Sequence, residues 1–122
     1  MKLAANDEQA IRNVITLYFT GTYHGNAEEL KRAFHPDARI VGSINDTIQD
    51  WTLNEFIARV TSKPTATEKN EKFDKEILFI DITNTTAIVK TRVFAAGYTF
   101  TDYITLLKIA DGWVIRFKSF TT

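Results

Sequence analysis

The chain has 122 residues, no cysteine, and 15 lysine and arginine residues balanced by 15 aspartate and glutamate residues. This length predicts one domain spanning residues 1–122, and a hydrophobic content of 44% is ordinary for a globular protein. The absence of cysteine excludes disulfide bonds, thiol chemistry and cysteine-ligated metal. We expect a cytoplasmic protein, because the sequence carries no secretory signal and no run of about 18 apolar residues.

Three helices are predicted in the N-terminal half, each opened by a capping pattern. Apolar residues at helical spacing follow the first pattern as far as Gly21, and Pro36 is predicted to end the second helix. The three capping patterns are Asn6–Gln9, Asn26–Glu29 and Thr52–Glu55.

Strands are predicted around and after the third helix. The connectors between the last four strands are short, so these strands are expected to be antiparallel neighbours. The sequence therefore predicts an α+β fold in which three helices pack on one face of a curved sheet. The predicted strands are 38–42, 47–51, 75–82, 86–95, 98–109 and 113–121.

Turn positions divide the strand residues between two faces of the sheet. Two-residue turns at Asn84-Thr85, Ala96-Gly97 and Asp111-Gly112 give one consistent apolar inner face. A three-residue loop in the last hairpin would invert the faces. The predicted inner face carries Leu78, Ile80, Ile82, Val89, Thr91, Val93, Phe100, Asp102, Ile104, Leu106, Trp113, Ile115, Phe117 and Ser119. The predicted outer face carries Ile77, Phe79, Lys90, Arg92, Tyr103, Thr105, Arg116, Lys118 and Phe120.

Asp102 is the one carboxylate on the predicted inner face. A carboxylate among apolar side chains loses hydration, and such groups in clefts are candidates for general acid or base catalysis. The alternative is structural, with Asp102 forming a hydrogen bond with Thr91, Ser119 or a group on one of the helices.

His35 and two aromatic residues are further candidates. His35 is a candidate base, although its cation would also suit the end of the second helix. Tyr18 either donates a hydrogen bond in a pocket or packs in the core, and Trp51 either covers the pocket or packs on the third helix. The residues expected to contact a ligand are Tyr18, Trp51, Tyr98, Phe100, Ile104, Phe117 and Ser119. We predict no cofactor and no metal, because no phosphate-binding loop, dinucleotide motif or metal-ligand spacing is present.

Aromatic and basic side chains are interleaved on the predicted outer face. Large exposed apolar groups indicate an interface, and basic residues among aromatic ones also occur in proteins that bind single-stranded nucleic acid. The zero net charge favours a homodimer in which each patch meets its own copy, with neither a nucleic-acid nor a membrane partner. The residues expected in this interface are Phe79, Lys90, Arg92, Tyr103, Arg116, Lys118 and Phe120.

Most of the chain resembles the nuclear transport factor 2-like superfamily, and within it the SnoaL-like, putative lumazine-binding family. The matching segments are Glu8–Tyr23, Ala33–Ala38, Trp51 with Phe56, and Thr101–Lys108 followed by Gly112-Trp113. The resemblance implies a cone-shaped fold with a strongly curved mixed sheet around a long helix, a pocket between them, and a homodimer through the outer face. Members of this superfamily include ketosteroid isomerase, SnoaL-type cyclases, dehydratases and binding domains. An isomerase-like pair of carboxylates is not evident here, because only Asp102 lies on the inner face.

Three hypotheses about function follow. The leading one is a domain that binds a small apolar or aromatic molecule in the pocket. The second is an enzyme in which Asp102 abstracts or relays a proton next to a carbonyl group. The third is a non-catalytic dimeric interaction module whose cone is filled by its own side chains.

Overall fold

The computed structural model describes residues 2–122, and their side chains from Asn6 onward. The described residues form three helices and six strands. No helix in this part of the chain has both the length and the apolar character needed to cross a membrane. The elements are α1 Lys2–His24, α2 Ala27–Ala33, β1 Phe34–Ile44, β2 Thr47–Thr52, α3 Leu53–Thr61, β3 Lys75–Thr83, β4 Thr86–Ala95, β5 Tyr98–Ile109 and β6 Gly112–Thr121.

Two of the three predicted helix starts are confirmed. The side chain of Asn26 accepts a hydrogen bond from the N–H of Glu29 at 3.1 Å. Thr52 and Glu55 form a reciprocal capping box, with hydrogen bonds of 2.9 and 3.1 Å between side chains and backbone. These bonds satisfy backbone donors that the first turn of a helix leaves without partners.

The start of α1 differs from the prediction. The helix begins at Lys2, so Asn6 lies within it and the prediction that Asn6 caps it is wrong. The helix ends at His24, and Gly25 follows with a φ of +63°, the left-handed conformation that glycine commonly adopts after a helix.

Pro36 lies in β1 rather than directly after a helix. α2 ends at Ala33, and the chain enters β1 at Phe34. The pairing of β1 with β6 is interrupted between Phe34 and Arg39. Pro36 falls in that interruption, where its missing N–H removes no hydrogen bond from the ladder.

The six strands form one mixed sheet in the order β2-β1-β6-β5-β4-β3. β1 runs parallel to β6, and the other neighbouring pairs are antiparallel. The curved, unclosed sheet with three helices confirms the predicted α+β cone fold. The turns at Asn84-Thr85 and Ala96-Gly97 are also confirmed, as is the pairing of Thr91 with Asp102.

A bulge in β3 overturns part of the predicted inner face. Ile77 pairs with Thr91 while Phe79 pairs with Lys90, so Leu78 is an extra residue in the strand. Leu78 is consequently exposed, and Ile77 lies on the inner side against the core. An extra residue shifts the two-residue alternation of a strand, which reverses the faces beyond it.

A second bulge, in β6, places four residues on the opposite face of the sheet from the one predicted. Leu106 pairs with Ile115, whereas Thr105 pairs with Phe117, so Arg116 is the extra residue. Trp113 and Ile115 are buried as predicted. Beyond the bulge the alternation reverses: Lys118 and Phe120 are each 6% exposed and lie inside, whereas Phe117 is 38% exposed and lies outside with Ser119. The predicted faces of Phe117, Ser119, Lys118 and Phe120 are therefore wrong.

The core lies between the helices and the concave face of the sheet. α1 contributes Ile11, Ile15, Tyr18 and Phe19, and the middle strands of the sheet contribute the opposite wall. Asp102 and Thr91 are fully buried polar residues within this apolar layer. The main core residues are Ile11, Ile15, Tyr18, Phe19, Leu30, Phe34, Ile40, Phe56, Val89, Val93, Ile104, Leu106, Trp113 and Ile115.

Candidate functional site

A cavity of about 230 Å³ lies between the helices and the inner face of the sheet. Aromatic side chains form much of its wall, and charged side chains lie at several points around it. The aromatic lining residues are Tyr18, Trp51, Phe56, Tyr98, Phe100 and Phe120. The charged lining residues are Arg59, Lys69, Glu71, Lys75 and Lys118.

The aromatic wall is organised around Phe120. The ring of Trp51 stacks on Phe120 with centroids 5.5 Å apart and an interplanar angle of 21°, and Phe100 meets Phe120 edge-on at 5.7 Å. The guanidinium of Arg59 lies 4.3 Å from the centroid of Trp51. Stacked and edge-on rings are favourable arrangements, so this wall presents a defined aromatic surface to the cavity.

Gly42 permits the close packing behind this wall. It lies beside Phe120 in the parallel pairing of β1 and β6. A Cβ at this position would lie 2.0 Å from the carbonyl oxygen of Phe120, which no side chain can tolerate. Glycine at this position therefore lets β1 hold Phe120 against the cavity.

A buried hydrogen-bond chain begins at two residues of the cavity wall, Lys118 and Tyr18. Nζ of Lys118 donates to Oη of Tyr18 at 2.7 Å, and Oη of Tyr18 donates to Oδ2 of Asp102 at 2.6 Å. Oγ1 of Thr91 donates to the same carboxylate oxygen at 3.1 Å, and Nζ of Lys118 lies 4.0 Å from it. Oδ1 of Asp102 is buried and has no hydrogen-bond partner among the described residues.

Burial and nearby charge shift the pKa values of Tyr18 and Lys118 in this hydrogen-bond chain. Burial raises the pKa of Tyr18 well above its ordinary value, and the negative charge of Asp102 raises it further. Tyr18 therefore keeps its proton and remains a donor. Burial lowers the pKa of Lys118, while the charge of Asp102 opposes that change.

Lys75 and Glu71 form a second polar group in the cavity wall. Nζ of Lys75 donates to the carbonyl oxygen of Phe94 at 3.1 Å, and burial lowers the pKa of Lys75 to about 8. Oε2 of Glu71 accepts a hydrogen bond from the N–H of Ala96 at 2.8 Å, whereas Oε1 is buried and has no partner in the described part of the chain. The hydroxyl of Tyr23 donates to the carbonyl oxygen of Glu71, which ties the loop after α3 to α1.

The predicted site residues fall into three groups. Tyr18, Trp51, Tyr98 and Phe100 all line the cavity. Asp102 and Ile104 are fully buried beneath it and are not part of its lining. The third group, Phe117, Ser119 and His35, lies away from the cavity.

His35 lies on β1, where its Nδ1 accepts a hydrogen bond from the N–H of Asp37 at 3.0 Å. It is not among the lining residues, so the expected approach of His35 to the pocket is wrong. The reason is that α2 ends two residues earlier than His35, which places this side chain on the strand.

Sequence reasoning missed seven charged or aromatic lining residues, which are Phe56, Arg59, Lys69, Glu71, Lys75, Lys118 and Phe120. The predicted alternation places Lys118 and Phe120 on the outer face, because the β6 bulge leaves no signature in the local sequence. Lys75 shares its face with Ile77, which the β3 bulge likewise turns to the inner side, and Glu71 lies in the loop before β3, where no alternation predicts a face. Arg59 could have been found, since it lies three residues after the inward-facing Phe56 on α3.

No three His, Asp or Glu side chains within residues 2–122 are grouped so that they could hold a metal ion. The charged and phenolic side chains that line the cavity carry ammonium, guanidinium, carboxylate and phenol groups. Such a set can hold an acceptor oxygen of a ligand and can move protons near it.

The fold and the cavity define a protein of the nuclear transport factor 2-like class. A solved protein of this class and of unknown function, from Methylobacillus flagellatus KT, has a TM-score of 0.84 and 27% identity over 95% of this chain and 91% of that chain. Another, from Shewanella baltica OS155, has a TM-score of 0.82 and 20% identity over 95% of this chain and 93% of that chain. A Nostoc punctiforme domain with a cystatin-like fold has a TM-score of 0.68 and 16% identity, covering 95% and 76% of the two chains.

Within this class, the chain belongs to the putative lumazine-binding family, whose sequence profile matches residues 6–121. Among curated proteins, the aldolase FrzH from Cladobotryum sp is 25% identical over 120 residues, which are 97% of this chain and 93% of that protein. The family assignment supports a ligand-binding domain.

Proposed function

We propose that the protein binds a small molecule with a flat aromatic body and a carbonyl oxygen at one end. The observation that carries this proposal is the placement of the Lys118 ammonium group, hydrogen-bonded to Tyr18, in the wall of an aromatic-lined cavity. Small-molecule pockets combine an apolar lining with a few polar groups that fix orientation. The volume of about 230 Å³ lies below the roughly 300–1,000 Å³ of drug-sized pockets, which favours a ligand of one to three rings.

Lys118 supplies the polar recognition in this proposal. An ammonium group has three donors, and in the described residues Lys118 uses one of them, to Tyr18. The rings of Tyr18 and Phe56 surround its Nζ at 4.6 Å each. A ligand oxygen that reaches Lys118 would accept a charge-assisted hydrogen bond in a largely dry environment, where such bonds are strong.

The test is a thermal-shift screen with pterins, flavins and polyketide-like aromatic ketones. A ligand that prefers the folded protein raises Tm, and Trp51→Ala and Lys118→Met should each remove that rise. The outer-face variant Tyr103→Ser is the matched control and should keep it. The proposal fails if no compound raises Tm, or if the rise survives in both cavity variants.

Proton transfer next to a ligand carbonyl is the second candidate function. The buried Lys118–Tyr18–Asp102 chain favours it, as does the similarity to a protein named an aldolase. Lys118 would stabilise negative charge that develops on a carbonyl oxygen. Asp102 lies behind Tyr18, so its role would be to hold the phenol and relay a proton through it, rather than to contact the ligand.

Exchange of the α-protons of a ketone for deuterium distinguishes an enzyme from a binding domain. A cyclic aromatic ketone such as 2-tetralone, incubated with the protein in D₂O, should lose its α-proton signal in NMR faster than in buffer alone. Asp102→Asn should slow this exchange while the affinity for the ketone is retained. Equal exchange in the wild type and Asp102→Asn would contradict the enzymatic role.

A further inference from the structure

We propose that Lys75 is a carbonyl-reactive amine, which forms an imine with an aldehyde or ketone bound in the cavity. The inference rests on the proposed function, since the cavity must first hold the carbonyl compound. Lys75 lies at the start of β3, on the same face of the sheet as its partner Val93, and both residues line the cavity. Its side chain lines the same space as the aromatic wall.

The surroundings of Lys75 favour a neutral amine. Its Nζ is held by the carbonyl oxygen of Phe94, and the described residues give it no carboxylate within ion-pair distance. Burial lowers its pKa to about 8; the charge of Lys118 lowers it further, while the charges of Glu71, Asp102 and Asp74 oppose the shift. A desolvated lysine next to another cation is a recognised way to activate an amine as a nucleophile.

Two rings also face this amine. The centroids of Tyr23 and Phe73 lie 5.9 and 5.7 Å from Nζ, near the outer limit of about 6 Å for an attraction between a cation and a ring. They therefore favour the ammonium form only weakly, and their larger effect is to exclude water. The neutral form is the reactive one, because its nitrogen lone pair is free to attack.

Lys118 lines the same cavity but is less suited to this reaction. Burial lowers its pKa and the charge of Asp102 opposes that shift, but its Nζ is engaged by a hydrogen bond to Tyr18 and lies 4.0 Å from the carboxylate of Asp102. The two lysines therefore divide the work in the proposal. Lys118 holds an acceptor oxygen as an ammonium group, and Lys75 attacks a carbonyl carbon as an amine.

The reaction balances without any oxidant or reductant. The lone pair of Nζ forms a bond to the carbonyl carbon, and one proton passes from the nitrogen to the carbonyl oxygen to give a carbinolamine. The hydroxyl group then takes up a second proton, the C–O bond breaks so that one molecule of water leaves, and the nitrogen gives up its remaining proton as the C=N bond forms. Glu71 can carry the proton between nitrogen and oxygen, because its buried Oε1 has no partner in the described residues and it lines the cavity with Lys75.

Borohydride trapping tests the proposal on the full-length protein. The protein is incubated with 2-naphthaldehyde and sodium cyanoborohydride, and the site of the naphthylmethyl group is located by peptide mass spectrometry. The neutral fraction of an amine with a pKa of about 8 exceeds that of an ordinary lysine roughly 300-fold near neutral pH. We expect one modified residue, Lys75, with labelling that rises to half its maximum near that pKa.

Two variants and a second ligand make the result decisive. Lys75→Arg keeps the positive charge but lacks the primary amine and should lose the modification, whereas Lys72→Arg, at an exposed nearby lysine, should keep it. Naphthalen-2-ylmethanol has the same rings without the carbonyl group and reports binding alone. Modification spread over exposed lysines, or equal modification of Lys75 in Trp51→Ala, would overturn the proposal.

The alcohol also separates this inference from the proposed function. If it binds to the wild type and to Lys75→Arg but the aldehyde leaves Lys75 unmodified, the imine proposal is wrong and ligand binding stands. If neither compound binds, the result contradicts both.

Discussion

The phenol oxygen of Tyr18 lies 2.6 Å from Oδ2 of Asp102, although the two residues are 84 positions apart in the chain. This hydrogen bond joins α1 to β5, and both side chains are almost completely buried. Tyr18 also lines the cavity. The same contact therefore fixes the helix on the sheet and holds in place a ring that lines the cavity.

Tyr18→Phe should destabilise the fold. The change removes the only hydrogen bond that the side chain of Lys118 makes among the described residues and one of the two that the side chain of Asp102 accepts there. A buried polar group without its partner costs about 1–3 kcal/mol, and urea unfolding should show a loss of that size. Tyr98→Phe is the control: its hydroxyl accepts one exposed hydrogen bond, from Asn45, so a change within about 0.5 kcal/mol is expected. Equal effects of the two changes would contradict the importance of the buried bond.

Asp102→Asn should be more damaging than the removal of both charges. The single change leaves the ammonium of Lys118 buried without a carboxylate, and breaking a buried pair in this way costs about 3–5 kcal/mol. The double variant Asp102→Asn with Lys118→Met removes the uncompensated charge, so it should be more stable than Asp102→Asn alone. A double-mutant cycle from urea unfolding measures this coupling. Additive losses would show that the two residues do not interact.

The strand positions and the central pairing could be predicted because they depend on local signals. Short connectors with turn residues predicted β4 and β5 with the bounds that the structure has, and the two-residue turn at Ala96-Gly97 placed Thr91 opposite Asp102. The apolar spacing of α1 placed Tyr18 on the buried side. Asp102 was identified for the same reason, since it interrupts an otherwise apolar face.

The faces beyond the two bulges could not be predicted. The residues Ile77, Leu78 and Phe79 are all large and apolar, so the sequence carries no alternation that marks Leu78 as the extra residue. Around Arg116 both possible registers place an aromatic residue inside, either Phe117 or Phe120. The choice is made by packing of Phe120 on Trp51, a contact between distant segments.

The stability of the protein should increase between about pH 8 and pH 10. The pKa of Lys75 is about 8 in the folded protein and near its ordinary value of 10.5 in the unfolded chain. In that window the unfolded chain holds the proton that the folded protein has released, so the free energy of unfolding rises with pH. After a discount for its partial exposure, we expect a rise of about 1 kcal/mol between about pH 7.5 and 9.5 in urea unfolding.

Lys75→Met is the control for this effect and should flatten the rise. The lowered pKa of Lys118 makes the free energy of unfolding rise with pH in both the wild type and Lys75→Met. The difference between their stability–pH profiles therefore isolates the contribution of Lys75. Tyr18 makes the free energy of unfolding fall as the pH rises, because the unfolded chain loses the phenol proton first above about pH 10. Measurements below that pH avoid its contribution. Parallel profiles for the wild type and Lys75→Met would contradict the lowered pKa.

Ligand binding should quench the fluorescence of one of the two tryptophans. Trp51 lines the cavity, whereas Trp113 lies outside its lining and donates a hydrogen bond to Asp7 at 3.0 Å. A flat aromatic ligand that stacks in the cavity will contact Trp51. In Trp51→Phe the remaining emission comes from Trp113 and should not respond to the ligand. Quenching that persists in Trp51→Phe would place the ligand elsewhere.

The outer face of the sheet should hold two copies of the chain together. Phe79, Tyr103 and Phe117 are 55%, 45% and 38% exposed, and Phe117 joins this face because of the β6 bulge. A two-fold dimer would bury these rings against their own copies. Tyr103→Glu and Phe117→Glu would each place a carboxylate in that interface, so both should sediment with half the mass of the wild type. Asn13→Glu adds the same charge on the exposed side of α1 and should leave the mass unchanged. The dimer would be refuted if the wild type sedimented as a monomer, or if Tyr103→Glu and Phe117→Glu sedimented with the mass of the wild type.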